Sequence, residues 1–134
     1  MLTRQQLISL SEEEYFLGCN THNLEQVLAT MSDACEMSFS AAKYKYRGAN
    51  ALRTHFIDFM GNFPTIDFNS FVSVVDVETQ SIATHFIVNL VDDKGDLLTM
   101  KNCNFFKAGP SGKFDEVLIF NASPLKAGFE AGSE

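Results

Sequence analysis

Four segments in the second half of the chain alternate apolar and polar residues with period two: FNSFVSVVDVE (68–78), SIATHFIVNLV (81–91), LLTMKNCNFFK (97–107) and KFDEVLIFN (113–121). Successive side chains of a strand point to opposite faces, so each segment predicts a strand with one buried face. The links between them are short and polar. DDKGD places Gly95 where a turn needs positive φ, and AGPSG separates the last two segments. Four successive strands joined this way predict an antiparallel meander.

The first half has a different period. Residues 4–19 carry helical spacing, with Thr3 and Gln6 as a capping box. Ser11 and Glu14 form a second box, flanked by Leu10 and Tyr15 as a hydrophobic staple, which predicts that the helix restarts or bends near Ser11. Asn23 and Gln26 open a short helix, LEQVLATM, with Leu24, Val27, Leu28 and Met31 on one side. Cys35, Met37, Phe39 and Ala41 then alternate with Glu36, Ser38 and Ser40, predicting one strand over 35–47 that ends at Gly48. Leu52, His55, Phe56, Phe59, Met60 and Phe63 mark an amphipathic helix closed by Gly61 and Pro64. Helices first and strands after predict an α+β domain: about three helices in the N-terminal half, packed on one face of a strongly curved, mostly antiparallel sheet. Such a sheet curls around the helices and encloses a pocket. No linker or repeat divides residues 1–134, which read as one domain with a loose tail at about 123–134.

Composition narrows the function. A net charge of −7 lacks the positive field that a nucleic-acid binder or a ligand of anionic membranes needs. The N-terminal MLTRQQLISLSEEEYF has no signal-peptide core, and no segment approaches a membrane span. Cys19, Cys35 and Cys103 form no CxxC pair and read as free thiols of a reducing compartment, so a cytoplasmic location is expected. His22, His55 and His85 lie on different elements, and no HxxxH, glycine-rich phosphate loop or GxSxG elbow is present. No metal and no cofactor is therefore expected. Thirteen phenylalanines against three tyrosines and no tryptophan point to a Phe-rich core or to a cavity with flat apolar walls.

The order of elements, with YFLGCNTHNLEQVLATMSD (15–33), the glycine-led helix GANALRTHF (48–56) and the closing NFFKAGPSGKFDEVLIF (104–120), resembles the nuclear-transport-factor-2-like superfamily. This is the cone-shaped α+β fold of SnoaL-like cyclases and ketosteroid isomerase, and the match spans most of the chain. The resemblance implies a homodimer paired through the outer sheet face, with one deep apolar pocket per subunit. It places Tyr15 on the tyrosine that polarises the substrate oxygen and Phe39 where the isomerase keeps its carboxylate base. Cys103, before Asn104 and Phe105, falls on the second oxyanion acid. One catalytic part of three is present, so the resemblance does not carry steroid isomerisation with it.

Tyr15 is then either a core ring or a hydrogen-bond donor in the pocket. His55, on the apolar stripe of its helix, is either a satisfied core residue or the acid or base that Phe39 cannot be. Phe39, Phe56, Phe59, Cys103 and Phe105 are the expected ligand-binding walls. His85 and Asn89 fall on the outer face of their strand, and Asn102 and Asn104 are assigned outward with them, towards the partner. In FSAAKYKYRG (39–48), Lys43, Lys45 and Arg47 alternate with Tyr44 and Tyr46 and read as rim charges. Two functions remain open. One is a SnoaL-like pocket that binds or transforms a small hydrophobic ligand by isomerase, cyclase or dehydratase chemistry. The other is a noncatalytic dimerisation or protein-binding module whose pocket is filled by its own phenylalanines.

Overall fold

Thr3 opens the first helix: its hydroxyl accepts from Gln6 N, and the Gln6 side chain accepts from Thr3 N at 2.8 Å. In the computed structural model, which describes residues 1–39 and 44–121, α1 (Arg4–Ser9) continues as a π-helix (Leu10–Phe16) and then as α2 (Leu17–Asn20). The second capping box expected at Ser11 does not form. Ser11 is fully buried and its hydroxyl bonds back to the Ile8 carbonyl at 3.0 Å, so it caps nothing. The chain instead widens so that each backbone hydrogen bond spans one extra residue, a form often found at functional sites. The neighbours Tyr15 and Phe16 both turn inward from it. The run is pinned at its far end by Asn20, whose amide bonds both the N–H and the carbonyl of Phe68 at 2.8 and 2.9 Å.

Asn23 caps α3 (Leu24–Leu28) through Gln26 N. Gly18 lets α2 and α3 touch: a Cβ there would lie 2.7 Å from Val27 Cγ2. The helical apolar pattern predicted to run to Met31 stops earlier. The Thr30 hydroxyl donates to the Val27 carbonyl at 2.6 Å, the Thr30 carbonyl accepts from Phe114 N at 2.8 Å, and the chain enters the sheet as β1 (Met31–Phe39). The single strand expected over 35–47 is a hairpin. β2 (Lys45–Arg47) folds back on β1 with Glu36 opposite Arg47. Glu36 gathers both cations, accepting from Arg47 Nε at 2.9 Å and facing Lys45 Nζ at 3.2 Å. Lys43 and the tail expected at 123–134 lie outside the described residues.

Gly48, at φ +90°, starts α4 (Ala49–Asn62), whose Leu52 and Phe56 are buried. The helix passes through Gly61 and is capped by Phe63. β3 (Thr65–Asp76), β4 (Ser81–Val91), β5 (Leu97–Ala108) and β6 (Phe114–Phe120) follow as the expected meander. The six-stranded sheet has the order β2-β1-β6-β5-β4-β3. Every pairing is antiparallel except β1 with β6, which is parallel. The sheet is mixed, mostly antiparallel and not closed into a barrel, and the helices cover one face, as the α+β reading expected.

Phe16, Phe56, Phe86, Phe106 and Phe114 are the largest fully buried side chains, so phenylalanine supplies much of the core. On β4, Ile82, Thr84, Phe86, Val88 and Leu90 face inward and His85 is exposed, following the predicted alternation. On β5 the faces are the reverse of those assigned from the resemblance. Asn102, Asn104 and Phe106 are buried, whereas Phe105 is 45% exposed and Cys103 half-buried. Pairing fixes this, because Thr84 lies opposite Asn104 and the exposed His85 opposite Cys103. No helix among the described residues is long and apolar enough to cross a membrane.

Candidate functional site

Between the π-helix, α4 and the concave face of the sheet lies a cavity of about 360 Å³, within the usual range for small-molecule sites. Seven of the phenylalanines line it. Phe16 and Phe86 are fully buried in its inner part, while Phe63 and Met100 are half-buried and Leu98 is 44% exposed at its rim. The cavity thus runs from a closed floor to a mouth between the end of α4 and the start of β5.

Five polar side chains share this wall: Tyr15, His55, Asn102, Asn104 and Asn121. No Asp, Glu, Lys or Arg lines it among the described residues. Tyr15 comes from the π-helix and packs edge-on against Phe16, Phe56 and Phe106 at centroid distances of 5.1, 6.1 and 5.2 Å. Its hydroxyl makes no hydrogen bond to another described residue. Burial, with smaller contributions from Cys19 and Cys35, holds the phenol well above its ordinary pKa. Tyr15 therefore remains a neutral hydrogen-bond donor.

His55 stands one residue before Phe56 on α4, half-buried in a ring of aromatics. Tyr46 lies 4.5 Å away, Phe56 5.0 Å and Phe39 5.5 Å, and Phe59 lies parallel to it at 6.4 Å. Burial lowers its pKa from the ordinary value, against the opposing pull of Asp58. The imidazole is therefore neutral at pH 7, able to accept one proton and to donate another. As pH falls, the unfolded chain protonates at about pH 6.5, before folded His55 does. Stability tied to neutral His55 is full above that pH and declines as pH drops toward the folded value. Equilibrium unfolding between about pH 7.5 and 5 is expected to lose this part of its slope in His55→Phe.

Tyr15, His55, Phe39, Phe56 and Phe59 are thus brought to one cavity, with Phe56 touching both Tyr15 and His55. Cys103 and Phe105, expected as walls, are not among its lining residues and stand on the opposite face of the sheet. The reason is visible in the strand itself. Lys101 and Lys107 share their parity and are exposed, and a lysine pair on one face of a strand belongs in water. That signal would have placed Asn102 and Asn104 inward, where a partner-facing role was expected. Asn121, just past β6, was not singled out. It accepts from Asn102 Nδ2 at 3.0 Å.

Asn104 is 2% exposed, and its Oδ1 is buried without a hydrogen-bond partner. Burial raises the thiols of Cys19, Cys35 and Cys103, that of Cys35 up to about 12, so none is held as the thiolate. No group of three or more His, Cys, Asp or Glu among the described residues is placed to hold a metal ion.

No protein-family model matches the sequence, and no curated protein is significantly similar to it. Solved structures match its fold. A SnoaL-like protein of unknown function from Burkholderia thailandensis E264 superposes with a TM-score of 0.73 at 20% identity, covering 92% of this chain and 100% of the other. BvnE pinacolase from Penicillium brevicompactum gives 0.75 at 17%, over 90% and 88%. A protein of unknown function with a cystatin-like fold from Methylobium petroleophilum PM1 gives 0.75 at 20%, over 95% and 82%. The chain therefore has the SnoaL-like, nuclear-transport-factor-2-like fold to which residues 15–33, 48–56 and 104–120 point.

Proposed function

We propose that this protein takes a small, uncharged hydrophobic ligand into the cavity between α4 and the sheet, and that any reaction there belongs to the isomerase, cyclase or dehydratase class. The observation that carries this is the composition of the cavity: aromatic walls with Tyr15 and His55 on one surface and no charged side chain among the described lining residues. Tyr15 donates a hydrogen bond to a ligand oxygen. Neutral His55 takes a proton from one position of the ligand and returns it at another, a shift that needs no co-reactant. The fold shared with a protein named as a pinacolase is compatible with this class and does not select the substrate. A thermal-shift screen with apolar carbonyl compounds such as acetonaphthone tests the reading. A ligand at a hundred times its Kd stabilises by about 2.7 kcal/mol, and that shift is expected to vanish in His55→Phe. Absence of any shift in the wild-type protein overturns the reading.

A second reading, dimerisation or protein binding, is supported by the outer sheet face. Val72, His85, Cys103 and Phe120 lie in one row across four strands, and Val74, Ala83, Phe105 and Leu118 in the next. Val72 is 51% exposed, Val74 71% and Phe120 41%, an apolar patch of the kind that marks an interface. We take its occupant to be a second copy, and the compartment to be the cytoplasm. Sedimentation at micromolar concentration is expected to give a dimer, and Val74→Glu with Phe105→Glu a folded monomer. A wild-type monomer contradicts the dimer and leaves the cavity proposal untouched.

A further inference from the structure

We propose that the sheet side of the cavity is a wall of hydrogen-bond donors, where Asn104 Nδ2 and Asn121 Nδ2 receive a second carbonyl oxygen of the ligand, beyond the one that Tyr15 receives. The inference rests on the cavity being a ligand site and names the class of ligand: an uncharged, flat, apolar dicarbonyl compound.

An asparagine can turn either end of its amide to a ligand, and here the surroundings select the end. Asn104 is 2% exposed and lines the cavity, yet its Oδ1 is closed in on all sides. The end that meets the cavity is therefore Nδ2, which makes no hydrogen bond to another described residue. Asn121 reaches the same polarity by another route. Its Oδ1 is taken by Asn102 Nδ2 at 3.0 Å, which leaves its own Nδ2 as the end without a described partner. Two amides, one oriented by burial and the other by a neighbour, thus both offer N–H groups.

Their place along the strands separates them from Tyr15. The Tyr15 ring packs on Phe106 at 5.2 Å. Asn104 lies two residues nearer the mouth on the same face of β5, about 7 Å along the strand, and Leu98 marks the rim. Phe120 pairs with Cys103, which puts Asn121 beside Asn102, a further step toward the mouth. Tyr15 serves an oxygen at the floor, and the two amides serve one nearer the mouth.

The rest of that wall is apolar, with Val88 and Leu90 from β4 and Ile119 from β6. A hydrocarbon end pressed against it would leave the amides unmet, at a cost on the order of 1–3 kcal/mol. A carboxylate would find no lysine or arginine among the described lining residues. A carbonyl oxygen carries two lone pairs and no charge, so it can accept from both amides. The aromatic walls favour a planar frame between the two oxygens.

The test uses matched probes on the full chain, with dissociation constants from calorimetric titration. Isomeric diacetylnaphthalenes are each compared with the acetylisopropylnaphthalene that keeps the shape and lacks one oxygen. A naphthol is added as a donor probe and an acetylnaphthoate as a charged one. At least one diketone is expected to bind about tenfold tighter than its matched monoketone. Asn104→Leu is expected to bring that pair to within about twofold. Asn121→Leu, at a half-buried position just past β6, reads the same ratio if Asn104→Leu does not fold. Monoketones that bind as well as every diketone overturn the donor wall and leave the cavity reading in place. Tightest binding by the naphthol or the acetylnaphthoate overturns the dicarbonyl class. A diketone advantage that survives both substitutions overturns the assignment to these amides. Failure of every probe overturns this inference and the cavity reading together.

Discussion

Phe16→Ala is expected to remove about 3–5 kcal/mol of stability, lowering Tm by on the order of 10–15 °C for a chain of this size. Phe16 is 1% exposed. It leaves the π-helix to meet Phe71 of β3 at 4.7 Å, Phe86 of β4 at 4.6 Å and Phe106 of β5 at 5.8 Å. One ring thus joins the N-terminal helix to three strands. Its neighbours are anchored in a paired sheet and cannot collapse into the space it leaves, which places the cost at the upper end of the range for large-to-small changes. Since Phe16 also lines the cavity, the hole would merge with it. Denaturant unfolding with an unchanged slope measures the loss. A loss below about 1 kcal/mol would mean that the helix is held to the sheet by something other than this ring cluster.

Tyr15→Phe is expected to spare stability and to act strongly on binding. The Tyr15 hydroxyl bonds no described residue and its side chain lines the cavity, so removing the hydroxyl leaves the unliganded protein about equally stable. A bound ligand, by contrast, loses the donor that meets its oxygen. Affinity is expected to fall by roughly 10-fold to 100-fold, the equivalent of about 1–3 kcal/mol. The separation matters because a purely structural tyrosine gives the reverse result. Lower stability with unchanged ligand affinity would assign the hydroxyl to the core. Calorimetric titration beside thermal unfolding reads both quantities on the same protein.

The features that proved legible in the sequence were local ones. Four period-two segments became β3 to β6, and Thr3 with Gln6 closed the capping box their spacing announced. The stripe from Leu52 to Phe59 became α4 because its apolar residues recur at the helical period. Non-local features were hidden. Parallel pairing of β1 with β6 joins residues about eighty apart and leaves no local pattern. The π-helix escaped because Ser11 and Glu14 have the spacing of a cap, and only burial of Ser11 turns its hydroxyl back on Ile8. Met31 fits both a helical stripe and the start of a strand, and the Thr30–Phe114 hydrogen bond decides for the strand. The candidate site was half legible. Tyr15 and His55 stood on elements whose faces were clear, whereas Asn104 was assigned to the wrong face by resemblance, against the parity of Lys101 and Lys107.

The most direct test is a crystal structure of the full chain with acetonaphthone. Expected is the naphthalene ring between Phe56, Phe59 and Phe86, with its carbonyl oxygen within hydrogen-bond reach of Tyr15 Oη. A cavity filled by the protein's own side chains, with the probe elsewhere or absent, would contradict it.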